Sequence, residues 1–341
     1  MFNLKNIVRP NILGLKPYSS ARDEFSGDAS IFLDANENPY GDLNRYPDPQ
    51  QKELKTLLGK RKNVSPNKIF IGNGSDEVID LAFRIFCNPG KDKALTFSPT
   101  YGMYDVSAAI NDVELIKVPL NTDFQIDLSS ITNYLNDNQV KLIFICSPNN
   151  PTGNSINQKE ITYILEKFNG IVIIDEAYVD FNTQESWVKA IDQYPNLIVS
   201  QTFSKAWGLA AARVGIAYTN EAVLALYNKV KPPYNVSELN QQAAINALSN
   251  VEEYEKNRQI LISEKEQLEK ELLSLDQVKK VYPSDANFLL CEVNDANKMY
   301  SDLVNLKIIT RNRNSVINNC IRITVGTPNE NSALLNALKN L

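Results

Sequence analysis

Lys205 lies in the run Thr202-Phe203-Ser204-Lys205-Ala206-Trp207-Gly208, just past the apolar stretch Leu197-Ile198-Val199, and Arg213 follows eight positions later. Thirty residues upstream of the lysine, a second apolar stretch, Ile171–Ile174, runs into Asp175-Glu176-Ala177-Tyr178. A lysine held at a strand end can form a Schiff base with a carbonyl compound. An aspartate can keep a pyridine nitrogen protonated, and an arginine flanked by hydroxyls, here Thr202 and Ser204, can hold a phosphate. Taken together these are the demands of pyridoxal phosphate, whose enzymes carry a Schiff-base lysine and an acidic partner for the ring nitrogen.

Three further segments could complete such a site. Gly72-Asn73-Gly74-Ser75-Asp76-Glu77 joins a strand to a helix, with Ser75 as the expected N-cap. The free amides of a helix start attract an anion, and Arg213, Thr202 and Ser204 could close on the same phosphate from the other side. Without those partners the segment reads as an ordinary βα turn. Ser147-Pro148-Asn149-Asn150-Pro151-Thr152-Gly153 follows the strand ending at Cys146. It places Asn150 where parallel sheets keep their ligands, at a strand's carboxyl end. Its amide and the Tyr178 hydroxyl could both reach the phenolic oxygen of the cofactor ring. Tyr101, in Pro99–Tyr104, could stack on that ring.

Composition narrows the chemistry. The 341 residues contain no histidine. That excludes Ser-His and Cys-His nucleophile pairs and any His-ligated zinc site, and no metal site is expected. The general base must be a carboxylate, lysine, tyrosine or cysteine. A net charge of −5 gives no sign of nucleic-acid binding. No apolar run has the length of a signal peptide or a membrane span. The four cysteines are scattered without a CxxC pair, as expected of buried thiols in a reducing cytoplasm.

The elements that must position these residues read as α/β. Strands are expected at Lys68–Ile71, Ala94–Phe97, Val113–Val118, Lys141–Cys146, Ile171–Ile174, Leu197–Ser200 and Val214–Tyr218. Helices are expected at Ser75–Cys87, Tyr101–Ile110, Ser129–Leu135, Gln158–Phe168 and Ser186–Gln193. The alternation predicts a mostly parallel sheet between helices. After Pro232-Pro233 the pattern changes to helices Ser237–Ser249 and Val251–Ser274. Strands Phe288–Val293, Ile308–Thr310 and Ile321–Val325 follow, with helices Asp295–Leu306 and Asn329–Leu341. The expected organisation is an extended N-terminal arm over residues 1–30, a large cofactor-binding domain over 31–240 and a smaller α/β domain over 241–341.

With these residues in hand, the chain resembles the fold-type-I pyridoxal-phosphate enzymes of the aspartate aminotransferase superfamily, and within them the histidinol-phosphate aminotransferase family. Asn-Pro-Thr-Gly and the Ser-Lys pair with its following arginine mark the superfamily. Asn36-Glu37-Asn38-Pro39-Tyr40-Gly41, Arg45-Tyr46-Pro47-Asp48-Pro49 and Arg322-Ile323-Thr324-Val325-Gly326-Thr327 are more particular to the family. The resemblance implies that Lys205 carries the cofactor covalently and that Asp175 binds the ring nitrogen. Asn150 and Tyr178 meet the phenolic oxygen, and Tyr101 lies over the ring. Gly74, Ser75, Asp76, Thr202, Ser204 and Arg213 surround the phosphate. It further implies a homodimer with shared active sites, in which Tyr46 reaches the neighbouring subunit's cofactor phosphate. Arg322 is implied to bind the carboxylate of glutamate and the phosphate of histidinol phosphate, with Tyr18 and Arg311 assisting and Asn36 lining the pocket. The chain departs from the pattern at Ala211, where a glycine is common. It departs again at Asn312-Arg313-Asn314, which leaves Arg311 and Arg313 both open as the phosphate-binding arginine. The implied activity is transamination in histidine biosynthesis. The alternatives are an aromatic aminotransferase or a threonine-phosphate decarboxylase on the same scaffold, and more distantly a non-enzymatic regulator.

Overall fold

Burial on both faces explains why the central strands read as unbroken apolar runs. In a strand, successive side chains point to opposite faces. Ile143, Ile145, Val172, Ile174, Leu197 and Val199 pack in one core, while their neighbours Leu142, Phe144, Ile171, Ile173 and Ile198 pack in another on the far side of the sheet. The computed structural model describes residues 2–18, 21 and 31–341.

The strands of this sheet are β1 (Ile69–Asn73), β2 (Lys93–Ser98), β3 (Glu114–Pro119), β4 (Val140–Cys146), β5 (Ile171–Asp175), β6 (Leu197–Thr202) and β7 (Val214–Tyr218), in the order β1-β7-β6-β5-β4-β2-β3. The pairs from β3 to β6 are parallel. Strand β7 runs antiparallel to both its neighbours, β1 and β6. The reversal carries the start of β7, with Arg213 before it, to the same sheet edge as the ends of β1 and β6.

Four more strands form a separate antiparallel sheet: β8 (Val278–Tyr282), β9 (Phe288–Val293), β10 (Arg311–Asn312) and β11 (Cys320–Thr324), in the order β10-β11-β9-β8. Leu268 and Leu272 of helix Val251–Leu273 pack in its core, as do Leu334 and Leu338 of helix Pro328–Lys339. Helix Glu238–Ser249 belongs to the larger sheet instead, burying Ala244, Ile245 and Leu248 there.

Several expectations shift. Strand Ile308–Thr310 moves to Arg311–Asn312, because pairing runs Arg311 to Arg322 and leaves Ile309 73% exposed. Strand β8 carries Lys279 and Lys280, exposed between Val278 and Val281, and a bulge, so its alternation is too weak to read. Helix Ser186–Gln193 shrinks to the 3-10 turn Trp187–Ala190. The buried Glu176 carboxylate accepts hydrogen bonds from Ser186 Oγ at 2.5 Å and the Trp187 amide at 2.7 Å, which fixes the turn locally. Ser129–Leu135 splits into turns Leu128–Ser130 and Thr132–Leu135. Helices Lys52–Lys62 and Glu221–Val230 were not foreseen. In the arm, residues 1, 19, 20 and 22–30 lie outside the described residues. The rest is not simply extended: Leu4–Asn6 and Pro10–Leu13 form helical turns that bury Ile7, Val8 and Ile12 against the second core.

Candidate active site

Six strand ends of the larger sheet meet at one cleft of about 550 Å³. Asp175 ends β5. Cys146 ends β4 and leads into the turn that carries Asn150. Thr202 ends β6 and leads to Ser204 and Lys205. Tyr101 follows β2, Ser75 and Asp76 follow β1, and Arg213 precedes β7. All of these line the cleft together with Tyr178. Arg311, Arg313 and Arg322 of the smaller sheet close the remaining side.

Asp175 is the most constrained group. It is 3% exposed, and burial pushes its carboxyl up to about 6 despite a hydrogen bond from the Tyr104 hydroxyl at 2.9 Å and another from the Ala177 amide at 3.1 Å. A desolvated carboxylate of this kind favours a cation placed beside it. Lys205 lines the same cleft, its Nζ 5.5 Å from the Tyr178 ring centre. Burial and the Arg322 charge lower its pKa, against the opposing pull of Asp175 and Asp76. Its ε-amine makes no hydrogen bond among the described residues. Burial raises the hydroxyls of Tyr178 and Tyr101, so neither ionises near neutrality.

Asn150 joins two functions. Its Nδ2 donates to the Tyr178 hydroxyl at 3.3 Å, and its Oδ1 accepts from Arg322 Nη1. Arg322 also lies over the Phe288 ring at 5.1 Å, and its Nε is shielded from water with no acceptor.

The phosphate end is built on close backbone approach. Gly74 has φ +77°, and a Cβ there would fall 2.6 Å from Arg213 Nη2. A Cβ on Gly215, paired with Gly72 across β1 and β7, would fall 2.2 Å from both the Gly74 carbonyl carbon and the Ser75 amide nitrogen. Helix Ser75–Phe86 therefore starts with Gly74, not Ser75, at its N-cap, and no side chain caps it. The uncapped first turn, the Arg213 guanidinium and the Thr202 and Ser204 hydroxyls form an anion cradle. Asp76 steadies one side, 3.5 Å from Arg213 and 3.2 Å from the Tyr101 hydroxyl. A phosphate cradle, a desolvated carboxylate and a lysine that line one cleft fit pyridoxal phosphate.

Three sequence candidates lie elsewhere within this chain. Tyr46 stacks on Tyr234 with ring centres 4.3 Å apart, in a separate surface pocket that Asn36 also lines. Tyr18 is 72% exposed. One residue that supports the site carries no role in the sequence pattern, Tyr104, which lies behind Asp175. Tyr104 is fully buried, and its partner lies 71 positions away, so nothing local marks it.

Residues 29–338 match the family model described as aminotransferase class I and II. The histidinol-phosphate aminotransferase of Bacteroides thetaiotaomicron is 54% identical to this chain over 343 residues, covering 99% of each. The crystal structure of the histidinol-phosphate aminotransferase from Clostridium acetobutylicum superposes with a TM-score of 0.80 at 27% identity, over 87% of this chain and 90% of that one. The histidinol-phosphate aminotransferase from Sinorhizobium meliloti, in complex with pyridoxal-5'-phosphate, gives 0.81 over 88% and 83%; at 23% identity this is a likeness of fold.

Proposed function

The chain belongs to the class I and II aminotransferases, and on that premise we propose that it transfers an amino group from glutamate to imidazole acetol phosphate, giving 2-oxoglutarate and histidinol phosphate, using pyridoxal phosphate held at Lys205. The observation that carries the reading is the meeting of the Lys205 amine, the desolvated Asp175 carboxylate and the Gly74–Arg213 cradle in one cleft.

Bound there, pyridoxal phosphate supplies an electron sink for the negative charge that develops at the substrate's Cα. The residues of the chain do the rest. Asp175 offers a fixed negative charge to the ring nitrogen, and its desolvation makes that pairing strong. Tyr178 and Asn150, already hydrogen-bonded to each other, would hold the phenolic oxygen, and Tyr101 would pack against the ring. Lys205 Nζ, once the incoming amine has displaced it, would take the proton from Cα and deliver it to the cofactor's C4′ carbon. Burial and the Arg322 charge lower its pKa, which favours the neutral amine that a base requires. The chain has no histidine, and the nearby tyrosine hydroxyls are held protonated, which favours lysine as the base. Arg322 takes the substrate anion, since a planar fork of donors suits carboxylate and phosphate alike.

The active unit is read as a homodimer acting on small molecules in the cytoplasm. Leu33, Tyr40 and Leu43 are 91%, 83% and 64% exposed beside Tyr46, an apolar surface that a second subunit could cover. No helix among the described residues is long and apolar enough to cross a membrane, and all four cysteines are free and buried. The larger unit is taken to end at Ser249, after the last residues that enter its core.

The test is a two-step spectrum of the purified holoenzyme. Glutamate should bleach the visible cofactor band, and imidazole acetol phosphate should restore it with formation of histidinol phosphate. Lys205→Ala should abolish the band and nearly all turnover. Wild-type-like turnover in that variant, or CO₂ release without an amino acceptor, contradicts the proposal.

A further inference from the structure

The Lys205 amine has no hydrogen-bond partner among the described residues, so its place is set by the backbone turn that carries it. That turn is closed by two backbone bonds, from the Gly208 amide to the Lys205 carbonyl at 3.1 Å and from the Leu209 amide to the Phe203 carbonyl at 3.0 Å. Its side chains divide. Ser204 and Lys205 line the cleft. Ala206 packs instead in a small apolar cluster with Tyr178, Phe181, Tyr254, Ala286 and Phe288. A tilt of the turn would carry the amine with it, and no bond at the tip resists.

Trp207 ties this turn to three other parts of the fold. It packs against the small cluster, and it meets Phe203 of the larger core with ring centres 5.4 Å apart. Its tightest ring contact is with Tyr254, near the start of helix Val251–Leu273, with centres 3.8 Å apart and planes within 17° of parallel. Arg61, from the last turn of helix Lys52–Lys62, lies over both rings, 5.0 Å from the centre of Trp207 and 5.1 Å from that of Tyr254. A cation over an aromatic face is attracted by the ring quadrupole. Glu255 lies 3.4 Å from Arg61 and 2.8 Å from Arg258, and Arg258 Nη1 donates to the Asp180 carbonyl at 3.1 Å. The lysine turn, the segment that carries Tyr178 and the start of the long helix are thereby fastened together. Trp207 itself is not among the residues that line the cleft.

We propose that Trp207 is a positioning residue for the Lys205 amine: stacked on Tyr254 and covered by Arg61, it clamps the lysine turn against the long helix and so sets the place from which the amine acts. This rests on the transaminase reading above. The test follows the glutamate half-reaction in Trp207→Leu, Tyr254→Leu and double-variant holoenzymes. Leucine keeps the cluster apolar but cannot stack. Misplacing a catalytic group by about 1 Å can cost about 100-fold, so Trp207→Leu should slow bleaching of the visible cofactor band at saturating glutamate by roughly 10- to 100-fold. The half-saturating glutamate concentration should stay within about threefold, since no group that binds substrate is removed. The circular dichroism of the band, which reports how rigidly the cofactor is oriented, should weaken at unchanged cofactor content. Tyr254→Leu leaves the sequence of the lysine turn intact and should show the same two changes. The double variant should be no slower than the poorer single one, because both remove one contact. Trp207→Phe keeps a ring and should recover most of the rate. The assignment is overturned by an unchanged saturating rate, by a loss confined to glutamate affinity, by losses that multiply in the double variant, or by a Trp207→Phe enzyme no better than Trp207→Leu. If glutamate does not bleach the band of the wild-type holoenzyme, the transaminase reading fails first, and this inference with it.

Discussion

Asp175→Asn separates the cost of burying a carboxylate from its use. Burial holds this carboxyl near pH 6 in the folded chain, against an ordinary 3.8. Between those values the folded state binds more protons than the unfolded one, so stability falls as pH rises through the window and levels off above it. Roughly two pH units at about 1.4 kcal/mol each give a penalty of about 3 kcal/mol in the cofactor-free protein above pH 7. Asparagine can still accept from Tyr104 and Ala177 and carries no charge. Cofactor-free Asp175→Asn should therefore unfold at higher urea than cofactor-free wild type at pH 7–8. The gap should shrink steadily towards pH 4. With cofactor bound the order should reverse, because the wild-type carboxylate then has its ring-nitrogen partner, and turnover in the variant should fall by about 100-fold or more. Urea melts at fixed protein concentration from pH 5 to 8, with and without cofactor, measure all of this. A stability gap that does not change with pH, or a cofactor-free variant less stable than wild type throughout, refutes the reasoning.

Two further substitutions probe the supports of the site. Tyr104→Phe removes the 2.9 Å donor to Asp175, raises that carboxyl further, and should weaken cofactor affinity by about tenfold in a fluorescence titration; an unchanged affinity means that the bond does nothing for binding. Gly215→Ala forces a methyl to 2.2 Å from backbone atoms of Gly74 and Ser75, where no rotamer change can relieve it, so it should cost about 3 kcal/mol or more. A melting temperature equal to wild type rules out the close approach of β7 to the phosphate turn.

The local text of the chain carried the strand-and-helix alternation, because apolar periodicity is written within a few residues of each position. It also carried the residues at strand ends. Asn150, Asp175, Tyr178, Lys205 and Arg213 stand just outside apolar runs, and in a parallel sheet such positions converge on one edge. The missing histidines were equally legible and excluded imidazole as the base. Residues 186–193 were misread because their backbone follows Glu176, ten or more positions away, rather than their own periodicity.

Partners chosen across long separations belonged to the tertiary structure alone. Pairing with Arg322 set where β10 begins, and so which arginines face the cleft. The antiparallel run of β7 brought Gly215 against Gly74 and made the phosphate turn. Tyr104 found Asp175, and that contact, with burial, sets the proton affinity of the group on which the chemistry depends. Sequence patterns state which face of an element is apolar. Distance and desolvation, which govern charge, exist only once distant segments have been brought together.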